Sequence, residues 1–204
     1  GPIPVLEKFF TSLVSGKIGQ NTLVEHAFYS LLRVMAGYAL GSVVGVILGL
    51  AMGTYKMVEA ICSPLFRIIR PIPPIAWIPI SIIWIGLGED AKIFLIFLAS
   101  FCYVTLNAWN GVKNVDQQLV GAARVPSIFA GLQVALSSSW ATVLAAEMVR
   151  SSNGLGWVII AGMNNNDMLQ ILVGIVAIGI VGLVLSIIFR KVEAVLCRWN
   201  KSGT

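Results

Sequence analysis

Few residues of this chain can do covalent chemistry. His26 is the only histidine, and Cys62, Cys102 and Cys197 show no CxxC spacing, so disulfide and metal readings are weak. One histidine assembles no convincing Ser–His–Asp set. No Gly-x-x-x-x-Gly-Lys-Ser/Thr run offers a phosphate cradle. No catalytic residue, metal site or cofactor is therefore expected, and the chain reads as a conduit or scaffold. The notable polar or irregular stretches interrupt apolar runs. In Arg70-Pro-Ile-Pro-Pro-Ile-Ala-Trp-Ile-Pro79 the four prolines, Pro71, Pro73, Pro74 and Pro79, remove backbone donors and distort a helix around Trp77. In a bilayer the freed carbonyls must find partners or line a wet cavity, so this stretch is either a packing kink or part of a substrate path. Ser137, Ser138, Ser139 and Trp140, followed by Glu147, interrupt a second apolar run. Each hydroxyl can bond back to its own helix or line a polar pathway.

The elements that would position these residues are membrane helices. Hydrophobic residues make up 57% of the chain, charged residues 11%, and the mean hydropathy is +0.88. Soluble domains carry roughly 25% charged residues, so lipid rather than water is the expected solvent. About 20 apolar residues cross a bilayer as a helix. Uncharged runs of that length lie at 34–55, 93–112, 125–146 and 168–189, and a shorter one at 71–88. The expected fold is an all-α polytopic membrane protein with five transmembrane helices. Residues 1–204 form one transmembrane domain: an outside amphipathic segment at 1–33, a helical core at 34–189 and a tail at 190–204. Val5, Leu6, Phe9 and Phe10 suggest a short amphipathic helix in the first segment, which lacks the features of a signal peptide. An outside N-terminus without an export signal implies a further upstream span.

Basic residues orient the bundle. If the polar loop from Lys113 to Pro126 is cytoplasmic, that side holds nine of the 14 Lys and Arg with three acids. The other side holds five with six acids. The C-terminus then faces the cytoplasm, and the net charge of +5 needs no nucleic acid to explain it.

The first span carries Gly37, Gly41, Gly45, Gly49 and Gly53, a step of four that places them on one helix face for close packing against another helix. Beyond Glu147, Asn153-Gly154 and Gly156 signal turns, and the stretch to Asp167 is too short to span. A shallow re-entrant or surface helix is expected there, with Asn164, Asn165 and Asn166 either capping the last span or touching a ligand-delivering partner.

Together these pieces resemble a family. Val115-Asp-Gln-Gln-Leu-Val-Gly-Ala-Ala-Arg124 is similar to the start of the cytoplasmic EAA motif of ABC-importer permeases. The stretch from Ile69 to Pro79, Ala145-Ala-Glu-Met148 and Gly154-Leu-Gly156 resemble the sulfonate, taurine, nitrate and bicarbonate branch. The resemblance covers nearly the whole chain. It implies a type I importer permease in an inner membrane, usually with one more N-terminal span. The implied partners are a second permease copy, two cytoplasmic ATPase subunits and an external solute-binding protein. Gly121, Ala122, Ala123 and Arg124 would couple to the ATPase, and a small anion would cross by alternating access. The motif departs from the family's pattern in two ways: Gly121 stands where Glu is usual, and about twenty residues of the family's loop are missing between Arg124 and Val125. The resemblance therefore predicts a break there, with Cα atoms farther apart than the ~3.8 Å of a trans peptide. A rival class, an ion-driven secondary transporter or channel, would favour buried coupling charges, and the sequence shows none inside a span. A membrane scaffold without transport is the third reading.

Overall fold

The computed structural model describes residues 2–14, 16–113 and 120–196. Among them the architecture is entirely helical: α1 (Pro2–Val14), α2 (Leu23–Thr54), α3 (Lys56–Ile69), a 3-10 turn (Pro74–Trp77), α4 (Ile78–Ile85), α5 (Glu89–Lys113), α6 (Val120–Arg150), α7 (Leu155–Asn164) and α8 (Met168–Leu196). This is an all-α polytopic membrane protein. Four helices are long and apolar enough to span, Leu23–Thr54, Glu89–Lys113, Ser127–Val149 and Met168–Val195.

α2 starts eleven residues before the expected run. Thr22 and Glu25 form a capping box there: the Thr22 N–H donates to the Glu25 carboxylate at 2.7 Å, and the Glu25 N–H donates to Thr22 Oγ1 at 3.3 Å. At 1.5 Å per residue this helix is about 48 Å long, well beyond the ~30 Å apolar core of a bilayer. Its first turns therefore project past the membrane core, where they meet α7. α1 is the short helix expected near the N-terminus. It buries Phe9, with Val5 and Leu13 beside it, in a cluster with Leu23, Leu155, Val158 and Val173.

The seam between α2 and α5 is set by glycine. A Cβ built on Gly37 would lie 2.8 Å from the Ile93 carbonyl, on Gly41 2.7 Å from that of Phe97, and on Gly49 2.5 Å from that of Thr105. On Gly45 it would meet the Phe101 carbonyl at 3.1 Å, and on Gly53 the Val112 Cβ at 2.4 Å. Obstacles at three of these five positions are backbone carbonyls closer than 3 Å, so only the absence of a side chain permits this approach.

Three expectations are corrected. The run at 71–88 is not one straight span. Lys56–Ile69 and Pro74–Ile85 meet at 90°, a broken pair that counts as a fifth span only if taken together. α6 passes through Arg124 and Val125 as one helix, so the expected break is absent. The cap of α8 is Asp167, whose Oδ1 accepts from the Gln170 N–H at 3.0 Å, and not the asparagine run. Asn166 instead takes a positive φ of 54° at the turn.

Candidate functional site

The break between α3 and α4 follows from its prolines. Pro74 opens the 3-10 turn and Pro79 lies in the first turn of α4, positions where a missing N–H costs nothing. Pro71 and Pro73 sit in the connector, which turns through bonds from the Ile72 N–H to the Ile69 carbonyl (3.1 Å) and from the Ala76 N–H to the Pro73 carbonyl (2.9 Å). The prolines thus delimit two short helices rather than kinking one.

Two adjoining cavities lie along this break, of about 490 and 210 Å³. The larger is walled by Ser63, Phe66, Arg67 and Trp109, the smaller by Pro73, Pro74, Trp77, Cys102 and Tyr103. Both touch Arg70, Pro71 and Leu106. Neither Arg67 nor Arg70 has an ion-pair partner among the described residues. The indole Nε1 atoms of Trp77 and Trp109 are buried without an acceptor among the described residues, a state that costs about 1–3 kcal/mol per group.

The serine run lies elsewhere. Ser137 and Trp140 line a separate cavity of about 190 Å³ between α6 and α8, with Gln133, Gly182, Ser186 and Phe189. It shares no residue with the cavities at the break. Ser137 bonds back to the Gln133 carbonyl at 3.2 Å, and the Ser138 carbonyl accepts from Thr142 at 2.7 Å. Ser139 is buried and its hydroxyl has no partner among the described residues. Trp140 packs into two apolar clusters, beside Leu144.

Glu147, placed by sequence with the pathway, is held in a different structure. It is 1% exposed. Its Oε1 accepts from Arg33 Nη1 at 2.7 Å and from Ser30 Oγ at 2.8 Å, and its Oε2 from the Gly156 N–H at 2.9 Å. Ser30 Oγ in turn accepts from the Leu155 N–H at 2.9 Å. Arg33, 4% exposed, also reaches Glu89 at 2.8 Å and the Asn153 carbonyl at 3.2 Å. Lys92 bonds Glu89 at 2.9 Å and Ser151 at 3.0 Å. His26 completes the set: its Nδ1 accepts from the Gly154 N–H at 3.1 Å, its Nε2 donates to the Ile18 carbonyl at 3.0 Å, and Trp157 stacks on the ring. Gly154 is required twice over, by a φ of 105° and because a Cβ would lie 2.3 Å from the Glu147 carboxyl carbon.

This knot ties α2, α5, α6 and α7 together, and the sequence reading missed it by finding no buried charge in a span. A signal was present. His26, Ser30 and Arg33 continue the glycine face of α2 toward its start, at steps of four, three and then four to Gly37. Outside the spans, Lys8 pairs with Asp167 and ties α1 to α8. The Lys8 ammonium, with the Gln170 N–H, holds the Asp167 carboxyl below its ordinary value.

The side chains of Gly121 to Arg124 lie outside the described residues, although their backbone is helical in α6. Cys197 and the rest of the tail also lie outside. Among the described residues no group of three or more His, Cys, Asp and Glu could hold a metal.

Comparison with known proteins decides what such a bundle belongs to. Residues 41–125 match the binding-protein-dependent transport system inner membrane component family. A putative ABC transporter permease of Methanocaldococcus jannaschii is 35% identical, over 98% of this chain and 83% of its own length. The chain belongs to this family. The taurine transport system permease of Escherichia coli is 34% identical over 98% of the chain and 79% of its own length. The nitrate import permease of a Synechocystis species is 30% identical over 96% and 79%. This permease is thus a multi-pass membrane protein of the ABC transporter class, in the branch to which taurine, sulfonate and nitrate permeases belong. The alignment with the archaeal permease runs over 221 positions, whereas 98% of 204 residues is about 200, so about 20 positions have no counterpart in this chain.

Proposed function

We propose that this chain is the membrane subunit of an ATP-driven importer for a small anion, an organosulfonate, nitrate or bicarbonate-like solute. The observation that carries the reading is similarity over nearly the whole of this chain to permeases named for taurine and nitrate. Two copies would pair as a homodimer in the inner membrane, C-terminus in the cytoplasm. Two ATPase subunits would act on the coupling segment that begins at Gly121 to Arg124, and an external binding protein would deliver the solute. Closure of the ATPases would rock the permeases between outward and inward openings. A helix broken at 90° with cavities along it supports a path near Pro71, Pro73, Pro74 and Trp77. Glycine contact between α2 and α5 gives each half a stiff seam.

The rival, an ion-driven transporter, needs a carboxylate free to take and release its coupling ion. Glu147 is the buried carboxylate found here, and Arg33, Ser30 and Gly156 already occupy it. The positions missing relative to the archaeal permease would fall between Arg124 and Val125, in the coupling loop. The 204-residue chain then supplies the permease core, and coupling needs those residues.

The test is uptake of radiolabelled taurine and nitrate into proteoliposomes holding permease, ATPase and binding protein. ATP-dependent uptake is expected when the twenty-residue segment of the taurine permease is inserted between Arg124 and Val125, and none without it. Uptake driven by an ion gradient in vesicles lacking ATP and ATPase would overturn the reading.

A further inference from the structure

α1 carries more apolar surface than the bundle uses. At about 100° per residue its side chains fall into three sectors of similar width. Val5, Phe9, Ser12 and Leu13 form one, and the protein covers it. Phe9 and Ser12 are buried, and Phe9 shares a cluster with Leu155 and Val158 of α7 and with Val173 and Ala177 of α8. Pro4, Glu7, Lys8 and Thr11 form the second, which holds both charges of the helix. Ile3, Leu6, Phe10 and Val14 form the third, and these four are 52–83% exposed. The Phe10 ring stands edge-on to buried Phe9 at 5.8 Å, so the open sector adjoins the packed one. Four large apolar side chains gathered on one open face call for something other than water to cover them.

The level of α1 in the bundle identifies that cover. Lys8 pairs with Asp167, the cap of α8, and α8 supplies the 28-residue apolar span Met168–Val195. Asp167 therefore marks the polar boundary of the membrane. Val173 and Ala177 lie within the first three turns of that span, so the cluster that holds Phe9 reaches into the depth where acyl chains begin. Over the same turns α8 leaves Met168, Leu172 and Ile175 exposed, which on a membrane span is a lipid-facing surface. A helix with one sector against protein, one charged and one open and apolar fits the line where protein, water and lipid meet.

We propose that α1 is an interfacial anchor, lying along the bilayer surface beside the start of α8 with Ile3, Leu6, Phe10 and Val14 among the lipid acyl chains. Through the Phe9 cluster it seats α7 at the membrane boundary. The inference rests on the membrane spans and is independent of what the permease carries.

The test uses the 204-residue chain with Cys62→Ser, Cys102→Ala and Cys197→Ser in phosphatidylcholine nanodiscs. A nitroxide is attached in turn at Leu6→Cys, Phe10→Cys, Glu7→Cys and Thr11→Cys. Power saturation compares collisions with oxygen, which concentrates in lipid, and with a water-soluble nickel chelate. The ratio of oxygen to nickel accessibility should be about fivefold higher at positions 6 and 10 than at 7 and 11. A preference for nickel at 6 and 10 means that this face meets water. Shielding from both reagents means that a second copy or another protein segment covers it. Either result overturns the proposal. In a second measurement, the double variant Ile3→Gln, Leu6→Gln should speed hydrogen exchange of α1 about tenfold in nanodiscs and leave α5 unchanged. Gln forms helix about as well as Leu and better than Ile, so faster exchange reports the lost apolar cover and not propensity. Unchanged exchange of α1 likewise overturns the proposal.

Discussion

The two polar regions of this permease lie about 25 Å apart along α5, measured from Lys92 to Trp109 at 1.5 Å per residue, and they follow opposite rules. At the knot every buried charge has its partner: Arg33 has Glu147, Glu89 and Asn153, and Glu147 has three donors. At the break the arginines are unpaired among the described residues, and two indole N–H groups are orphaned. A saturated network rigidifies what it joins and has nothing left to offer a ligand. An unsaturated one destabilises the empty protein and gains when something arrives. One polar region thus ties helices together, and the other keeps charges and donors without partners among the described residues.

The contrast breaks most visibly at Glu147. Glu147→Ala leaves Arg33 buried beside its lost partner and should cost about 3–5 kcal/mol, read from unfolding in micelles by circular dichroism. A cost under about 1 kcal/mol would mean that the knot is not structural. The double variant Arg33→Met, Glu147→Leu should recover much of that loss, because replacing a buried pair with apolar groups removes the stranded charge.

The seam that joins the two regions comes next. Gly49→Leu forces a side chain against the Thr105 carbonyl and the Ala108 Cβ at 2.5–2.6 Å. Overpacking of this kind costs about 1–3 kcal/mol. Thermal stability should fall and α2 should separate from α5, which a spin-label distance between the two helices would report. Unchanged stability and spacing would show that the glycine face tolerates bulk.

At the break the expectation reverses. Arg70→Gln should change stability by no more than about 0.5 kcal/mol, because the side chain is exposed and has no ion-pair partner among the described residues. A loss above about 1 kcal/mol would make this region a second structural knot and erase the comparison.

The smallest effect concerns the exposed tie between α1 and α8. Lys8 holds the Asp167 carboxyl below its ordinary 3.8, so the pair contributes fully above that value and fades as pH falls through the lowered one. The contribution is small because both side chains are about one-third exposed. Hydrogen exchange of α1 should quicken below about pH 3.8 in the unaltered chain. Lys8→Gln should already exchange faster at neutral pH and lose that acid response.

The sequence by itself determined the helical class, the membrane setting and the run of glycines, because these are set by composition and by a local period. Four spans were legible within a few residues at one or both ends, since lipid demands about 20 apolar residues in a row wherever they fall. The proline stretch was legible as a disruption, but not as a 90° corner, because missing donors say where a helix stops and not where the next one points. Tertiary structure alone decided which polar residues meet. Ser137 and Trp140 looked like neighbours of the proline segment in purpose, yet they line another cavity. Glu147 looked like a pathway group until Arg33, 114 positions away, was found at 2.7 Å. Arg67 and Arg70 are basic residues whose place along the two cavities at the break only the structure shows. Such pairings depend on distances between remote parts of the chain, and a one-dimensional pattern carries periods and composition but no distances.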